Sequence, residues 1–177
     1  MTVVTTWSRC WRRRSRTFRL RASQTKGANA VPQNPPEGYP SVMPYLMYED
    51  SDAALEFLVK AFGFTEKVRM TDDEGRINHA EVQIGNGVIM FGTPPGDYKS
   101  PAKLGGKTQN IYVYVDDVNA HYERAKKAGA KIVSEPEDKF YGDRNYIAED
   151  PEGHEWYFGT HVRDVSPEEI QTAGATS

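Results

Sequence analysis

A single cysteine, Cys10, stands among 177 residues. This excludes an internal disulfide framework, leaves no cysteine cluster for a structural metal, and suits a reducing, cytoplasmic compartment. Long apolar stretches are also missing: no run of 18 apolar residues occurs, so nothing reads as a membrane-spanning helix. Acidic residues are absent from residues 1–36, which hold Arg9, Arg12, Arg13, Arg14, Arg16, Arg19, Arg21 and Lys26, a charge of +8. The other 14 bases share the remainder with all 25 acids, which gives it −11. A folded domain of that charge repels nucleic acid. The basic stretch has three readings: an acid-free transit segment, a tail for nucleic acid or anionic membrane, or a disordered extension from an early start codon. Its low apolar content and the Pro32-Gln-Asn-Pro-Pro linker after it favour the disordered extension.

What is present supports one globular domain over residues 37–172, with a short tail at 173–177. A hydrophobic share of 38% and an aromatic share of 11% are enough for one core. The domain is internally repeated. Trp156-Tyr-Phe-Gly-Thr echoes Ile89-Met-Phe-Gly-Thr at an offset of 67 residues. At the same offset Tyr45-Leu-Met-Tyr-Glu-Asp falls on Tyr112-Val-Tyr-Val-Asp-Asp, Ala53 on Ala120 and Lys60-Ala61 on Lys127-Ala128. A repeat of about 50 residues signals stacked supersecondary units.

The first unit, about 41–93, opens with the apolar run Val42 to Tyr48, where Pro44 suits a strand start. Asp50, Ser51 and Asp52 offer N-caps for a helix to about Phe62, with Leu55, Leu58 and Phe62 on one face and Gly63 as its stop. Three strands follow, over Phe64 to Met70, Ile77 to Ile84 and Val88 to Phe91, separated by Asp72-Asp-Glu-Gly and Gly85-Asn-Gly turns. Residues 94–107 form a turn-rich linker without periodicity, a candidate lid or binding loop. The second unit, about 108–161, repeats the order: a strand over Gln109 to Val115, a helix over about 118–128, Gly129, and three strands. Two of these, Asn145 to Ala148 and Trp156 to Phe158, flank the elbow Glu149-Asp-Pro-Glu-Gly. Ser166-Pro-Glu-Glu is a capping box that starts a terminal helix. The expected fold is therefore α+β, two tandem βαβββ units forming a curved mixed sheet. Each helix covers one face, and the free faces curl into a trough that is the default ligand site.

The duplicated βαβββ pattern with Asp150-Pro-Glu-Gly-His resembles the vicinal oxygen chelate superfamily of glyoxalases, extradiol dioxygenases and bleomycin-resistance proteins. Tyr141-Gly-Asp-Arg, Asp150-Pro-Glu-Gly-His-Glu-Trp and Thr160-His-Val are similar to its PhnB-like branch. The resemblance covers about residues 36–170 and implies a homodimer in which exchange of units between copies can build the trough.

It also implies four metal ligands, one on the first and one on the last strand of each unit. These positions fall at Met43, Met90, Asn110 and Tyr157, none a usual ligand for a hard or borderline divalent ion. The expectation is thus a protein with no metal and no cofactor, binding or sequestering a small aromatic or amphipathic organic molecule. A glyoxalase-like lyase, isomerase or dioxygenase with an atypical metal site is the alternative, and a dimeric interaction module with a filled trough is a third reading.

Met43, Tyr45, Met90, Asn110, Tyr112 and Tyr157 would line the trough as thioether and aromatic walls with a few polar handles, unless the methionines fill a closed core. His79 and Glu81, two apart on one strand, share a face; they read as a pair bridging strands or as a metal-free proton-transfer pair, with His79 the best catalytic candidate. Arg144 either holds an anionic group at the mouth of the trough or pairs with Asp143 to brace the loop. His154 reads as a turn or surface residue, and His161 as packing or capping a sheet edge.

Overall fold

The computed structural model describes residues 32–174. The basic stretch therefore lies outside the described residues as far as residue 31, as does the tail beyond Gly174. The element order is β1 (Tyr45–Met47), α1 (Ser51–Phe62), β2 (Thr65–Thr71), β3 (Ile77–Ile84), β4 (Gly87–Gly92), α2 (Pro101–Leu104), β5 (Asn110–Tyr114), α3 (Val118–Lys127), β6 (Lys131–Asp138), β7 (Asp143–Glu149), β8 (Glu155–His161) and α4 (Pro167–Gly174).

Local chemistry sets the helix ends. The Asp50 carboxylate accepts from the Ala53 amide at 2.9 Å, and Asp117 does the same for Asn119 and Ala120. Gly63 ends α1 at φ 74°, a left-handed conformation that glycine adopts without the Cβ penalty. The core side of α1 is the apolar stripe Ala54, Leu55, Leu58, Ala61 and Phe62, all buried.

The strands form two four-stranded mixed sheets, β1-β4-β3-β2 and β5-β8-β7-β6, each with its first strand parallel to its last and the other pairs antiparallel. The repeated Phe-Gly-Thr triplet has a part for every residue. Phe91 and Phe158 are wholly buried in the core. A Cβ on Gly159 would lie 2.3 Å from the Tyr112 hydroxyl, and one on Gly92 would lie 3.1 Å from the Tyr45 hydroxyl, so each glycine leaves room for the tyrosine of its first strand. Thr160 accepts from the first amide of α3 at 2.9 Å and Thr93 from the first amide of α1 at 3.3 Å, satisfying donors that a helix start leaves without internal partners.

The repeats share one core. The Phe62 ring meets Trp156 at 5.5 Å and Phe158 at 4.8 Å between centroids, and Phe64 meets Trp156 edge-on at 5.6 Å. Such aromatic pairs contribute about 0.5–1.5 kcal/mol each beyond their buried area. The last carbonyls of α1 are taken up by the second repeat: Arg124 donates to Val59 and Lys60, and His121 Nε2 to Phe62 at 2.9 Å. His121 Nδ1 is then the acceptor for the Tyr146 hydroxyl at 2.7 Å.

The elbow after β7 is a clasp. Buried Asp150 accepts from the Tyr48 hydroxyl at 2.6 Å, from Trp156 Nε1 at 3.1 Å and from the His154 amide at 3.0 Å. Glu152 reaches back to accept from the Glu49 and Asp50 amides. His154, read as a turn or surface residue, is only 8% exposed; its Nε2 donates to the Met47 carbonyl and its ring packs on Tyr48.

The free faces do not close over one another within the chain. Tyr45, Met47 and Met70 on the first sheet and Tyr112 and Tyr114 on the second are 39–62% exposed. Both free faces, from which the trough is expected, are thus open to solvent in one chain.

Candidate functional site

Side chains standing directly opposite one another in neighbouring strands share a face. Tyr45, Met90, Glu81 and Val68 therefore form one row on the open side of the first sheet, with Met70 opposite His79 beside them. The polar groups of this row are chained together. The Tyr45 hydroxyl is 3.1 Å from His79 Nδ1, and His79 Nε2 is 3.3 Å from Glu81 Oε1. Tyr39, from the segment ahead of β1, donates to Glu81 Oε2 at 2.8 Å. Lys67 Nζ stands 4.5 Å over the Tyr39 ring and donates to the Gly38 carbonyl at 3.3 Å. The His79–Glu81 contact thus runs along one strand rather than between strands. Burial raises the Tyr45 phenol above its ordinary pKa.

On the second sheet the corresponding row is Tyr112, Tyr157, Ile147 and Ser134, followed by Tyr114, Gly159, Asn145 and Glu137. The Tyr112 and Tyr157 rings are near parallel, 6.2 Å apart, and Tyr112 meets Tyr114 at 5.1 Å. Their polar focus is Asp143, only 3% exposed, which accepts from Tyr112 at 2.9 Å, Tyr114 at 2.8 Å and His161 Nδ1 at 2.8 Å. Burial pushes the Asp143 carboxyl up, but the donors from His161, Tyr114 and Tyr112 outweigh it and hold the group below its ordinary value. The same bonds, to Asp143 first and Asp164 second, raise His161. Asn145 donates to the Tyr141 hydroxyl at 2.7 Å, and its Oδ1 is buried without a partner. Burial raises Tyr112 and Tyr157.

Of the residues expected at the site, Tyr45, His79, Glu81 and Met90 share the first open face and Tyr112 and Tyr157 the second. Asn110 is exposed at the start of β5, opposite Glu155. Met43 lies ahead of β1, outside the strand. Arg144 is corrected. It stands opposite Thr160 on the helix side of β7, donating to Asp138 at 2.9 Å and Asn119 at 3.1 Å, so neither a place at the trough nor a pair with Asp143 describes it. His161, expected to pack or cap a sheet edge, ends the inner strand β8, where two carboxylates, Asp143 and Asp164, hold its ring. Sequence reasoning missed Tyr39, Tyr114, Tyr141, Asn145 and the hub role of Asp143. Tyr114 and Asn145 were within reach, since both share the alternation of Tyr112 and Ile147.

The linker is tied down beside the first face. Tyr98 donates to the Met47 carbonyl, Ser100 and Lys103 bind Glu49, and Lys107 binds Glu149 and Glu155. The Lys103 ammonium and the Ser100 donors hold Glu49 down at about 2. Between linker and sheet lies a cavity of about 190 Å³ reaching Tyr45, Met47, Leu104 and His154.

A divalent metal at the positions the resemblance implies does not fit the side chains there. Two thioethers, an amide and a phenol whose pKa is raised, first by burial and then by Glu155, are poor ligands for a hard cation. Among the described residues no group of three or more His, Cys, Asp or Glu converges as a metal site.

Residues 40–158 match the family model of the Glyoxalase/Bleomycin resistance protein/Dioxygenase superfamily. Protein Rv0887c of Mycobacterium tuberculosis is 37% identical over 139 residues, 76% of this chain and 82% of that protein. YwbC of Bacillus subtilis is 30% identical over 63% of this chain and 88% of its own. The crystal structure of TioX from Micromonospora sp. ML1 is 36% identical, covers 68% of this chain and 97% of TioX, and superposes with a TM-score of 0.58.

Proposed function

The chain belongs to the glyoxalase/bleomycin resistance protein/dioxygenase superfamily, and within it we propose a small-molecule binding protein that takes a flat aromatic or amphipathic organic ligand without a metal. The observation that carries this reading is the open second face, where stacked Tyr112 and Tyr157 present aromatic surface backed by the hydroxyl-bonded Asp143. Aromatic walls of this kind bury a planar ring and leave phenol and amide groups to orient it. On the first face Met47, Met70 and Met90 supply adaptable thioether surface.

A homodimer belongs to the proposal, because the half-exposed aromatic and methionine rows of both faces gain most when a second copy covers them. The Tyr141-Gly-Asp-Arg and Asp150-Pro-Glu-Gly-His segments support a place in the PhnB-like branch, and the lone cysteine supports a cytoplasmic setting. The lyase, isomerase or dioxygenase alternative has the Tyr45–His79–Glu81 chain in its favour, as a route for a proton.

Calorimetric titration with bleomycin and with acridine tests the binding reading. Saturable binding of either, weakened about tenfold by Tyr112→Ala, as expected for the loss of about 1.4 kcal/mol of stacking, supports it; no heat with any planar probe ends it. Cobalt titration followed by thermal unfolding should leave Tm unchanged. A stoichiometric metal with a large shift would transfer the case to the alternative.

A further inference from the structure

We infer that the open face of the first sheet is a phenol-recognition site, occupied in this chain by its own Tyr39. The inference rests on the small-molecule reading above and names the ligand class for one of its two faces.

Glu81 is 6% exposed and sits in a row whose other members are Tyr45, Met90 and Val68. A carboxylate with so little access to water needs donors. Its own strand supplies His79 at 3.3 Å, and the closer donor comes from a residue 42 positions away that belongs to no strand. Tyr39 reaches Glu81 from a tether whose neighbours Pro36, Glu37, Gly38, Ser41 and Val42 are exposed. Two further contacts hold the tether there, Lys67 over the Tyr39 ring and Lys67 on the Gly38 carbonyl. A core tyrosine is enclosed by the elements on both sides of it. Tyr39 is instead half-buried, held by its hydroxyl at one end and its ring face at the other, as a bound phenol would be.

Those contacts define what replaces it. The hydroxyl makes a charge-assisted bond to a carboxylate, and the ring takes the ammonium of Lys67 on its face. A hydroxylated aromatic small enough to lie between Lys67 and Glu81 satisfies both groups once Tyr39 withdraws. The second face lacks this feature: Ile147 stands opposite Tyr157 as Glu81 stands opposite Met90, and the segment before β5 is drawn off by Lys107 to Glu149 and Glu155.

The test is a titration of the full chain with p-cresol, the side chain of tyrosine as a free molecule, followed by NMR. Tyr39→Ala should tighten p-cresol binding about tenfold, because an internal competitor that holds the site most of the time lowers apparent affinity by the open fraction. Tyr39→Phe, which keeps the ring and loses the bond to Glu81, should tighten it less. Adding Glu81→Gln to Tyr39→Ala should undo the gain. Toluene, lacking the hydroxyl, should bind Tyr39→Ala at least tenfold more weakly than p-cresol, a comparison that leaves Glu81 untouched. Equal p-cresol affinity in wild type and Tyr39→Ala, or equal binding of toluene and p-cresol, overturns the inference. If acridine still binds in that case, the general reading stands and the phenol site alone falls; if no aromatic probe binds any variant, both fall.

Discussion

The first repeat lays Tyr45 over Gly92 and closes the start of α1 with Thr93; the second lays Tyr112 over Gly159 and closes the start of α3 with Thr160. That frame is held in common. On the open faces the two repeats part company: His79 and Glu81 with methionines on one, Tyr114, Asn145 and Asp143 on the other. The turn before the last strand differs as well, Gly85-Asn86 in the first repeat and the Asp150 clasp in the second. Residues that make the shared scaffold match across the duplication, and residues free of that duty differ, so the two repeats are told apart on their open faces.

The comparison breaks most visibly at equivalent core positions. Trp156 and Ile89 are 67 residues apart and both are buried, and the Trp156 ring packs against Phe62 and Phe64 of the other repeat. Trp156→Ala should cost about 4 kcal/mol in urea unfolding and Ile89→Ala about 3 kcal/mol. Equal costs would mean that the repeats are not joined through Trp156.

The two glycines under the tyrosines sharpen it further. A Cβ at position 92 would meet the Asn78 carbonyl oxygen at 2.4 Å, which is backbone, whereas at position 159 the nearest atom is the Tyr112 hydroxyl at 2.3 Å. Overpacking costs about 1–3 kcal/mol. Gly92→Ala should fall at the upper end, because backbone cannot retreat. Gly159→Ala should fall at the lower end and release Tyr112 from Asp143, which tyrosine ring signals in NMR would report.

The smallest effect is one of pH. His161 is raised above its ordinary 6.5, so its bond to Asp143 contributes fully below about pH 6.5 and is lost as pH rises through the folded value. Asp143 is held below its ordinary 3.8, so its contribution is present above that pH and lost as pH falls through the folded value. The second sheet is thus best supported between these limits. In His161→Gln the alkaline decline should vanish while the acid one remains, as unfolding midpoints across pH 3–9 would show.

The duplication and the element order were legible in the sequence because they rest on short-range chemistry: aspartate caps, glycine stops and a triplet whose members each have a local duty. Helices expected at about 50–62 and 118–128 are observed at Ser51–Phe62 and Val118–Lys127. Alternation also placed Tyr45, His79, Glu81 and Met90 on one face. Arg144 failed a test the sequence already offered, since it alternates with Tyr146 and Ala148, which face the helix. Other features were out of reach because they cross the chain: Tyr48 meets Asp150 over 102 residues, and Tyr39 meets Glu81 from the short stretch ahead of the first unit. His121 drew no attention because a histidine on an exposed-looking helix carries no sign that its ring will serve the carbonyl of another helix. The linker, expected as a lid or binding loop, contains α2 and is tied to both repeats through Tyr98, Lys103 and Lys107.

The Asp150 clasp also has an evolutionary meaning. Two copies of one ancestral unit are interchangeable only while each asks nothing particular of the other. Once Tyr48 in the first copy buried its hydroxyl against a carboxylate that only the second copy carries, the halves acquired a fixed order. A tandem of two first copies would strand that hydroxyl, and a tandem of two second copies would leave one clasp without its tyrosine, since Val115 occupies the matching place. A chain rebuilt from either half alone would give up the Tyr48–Asp150 bond.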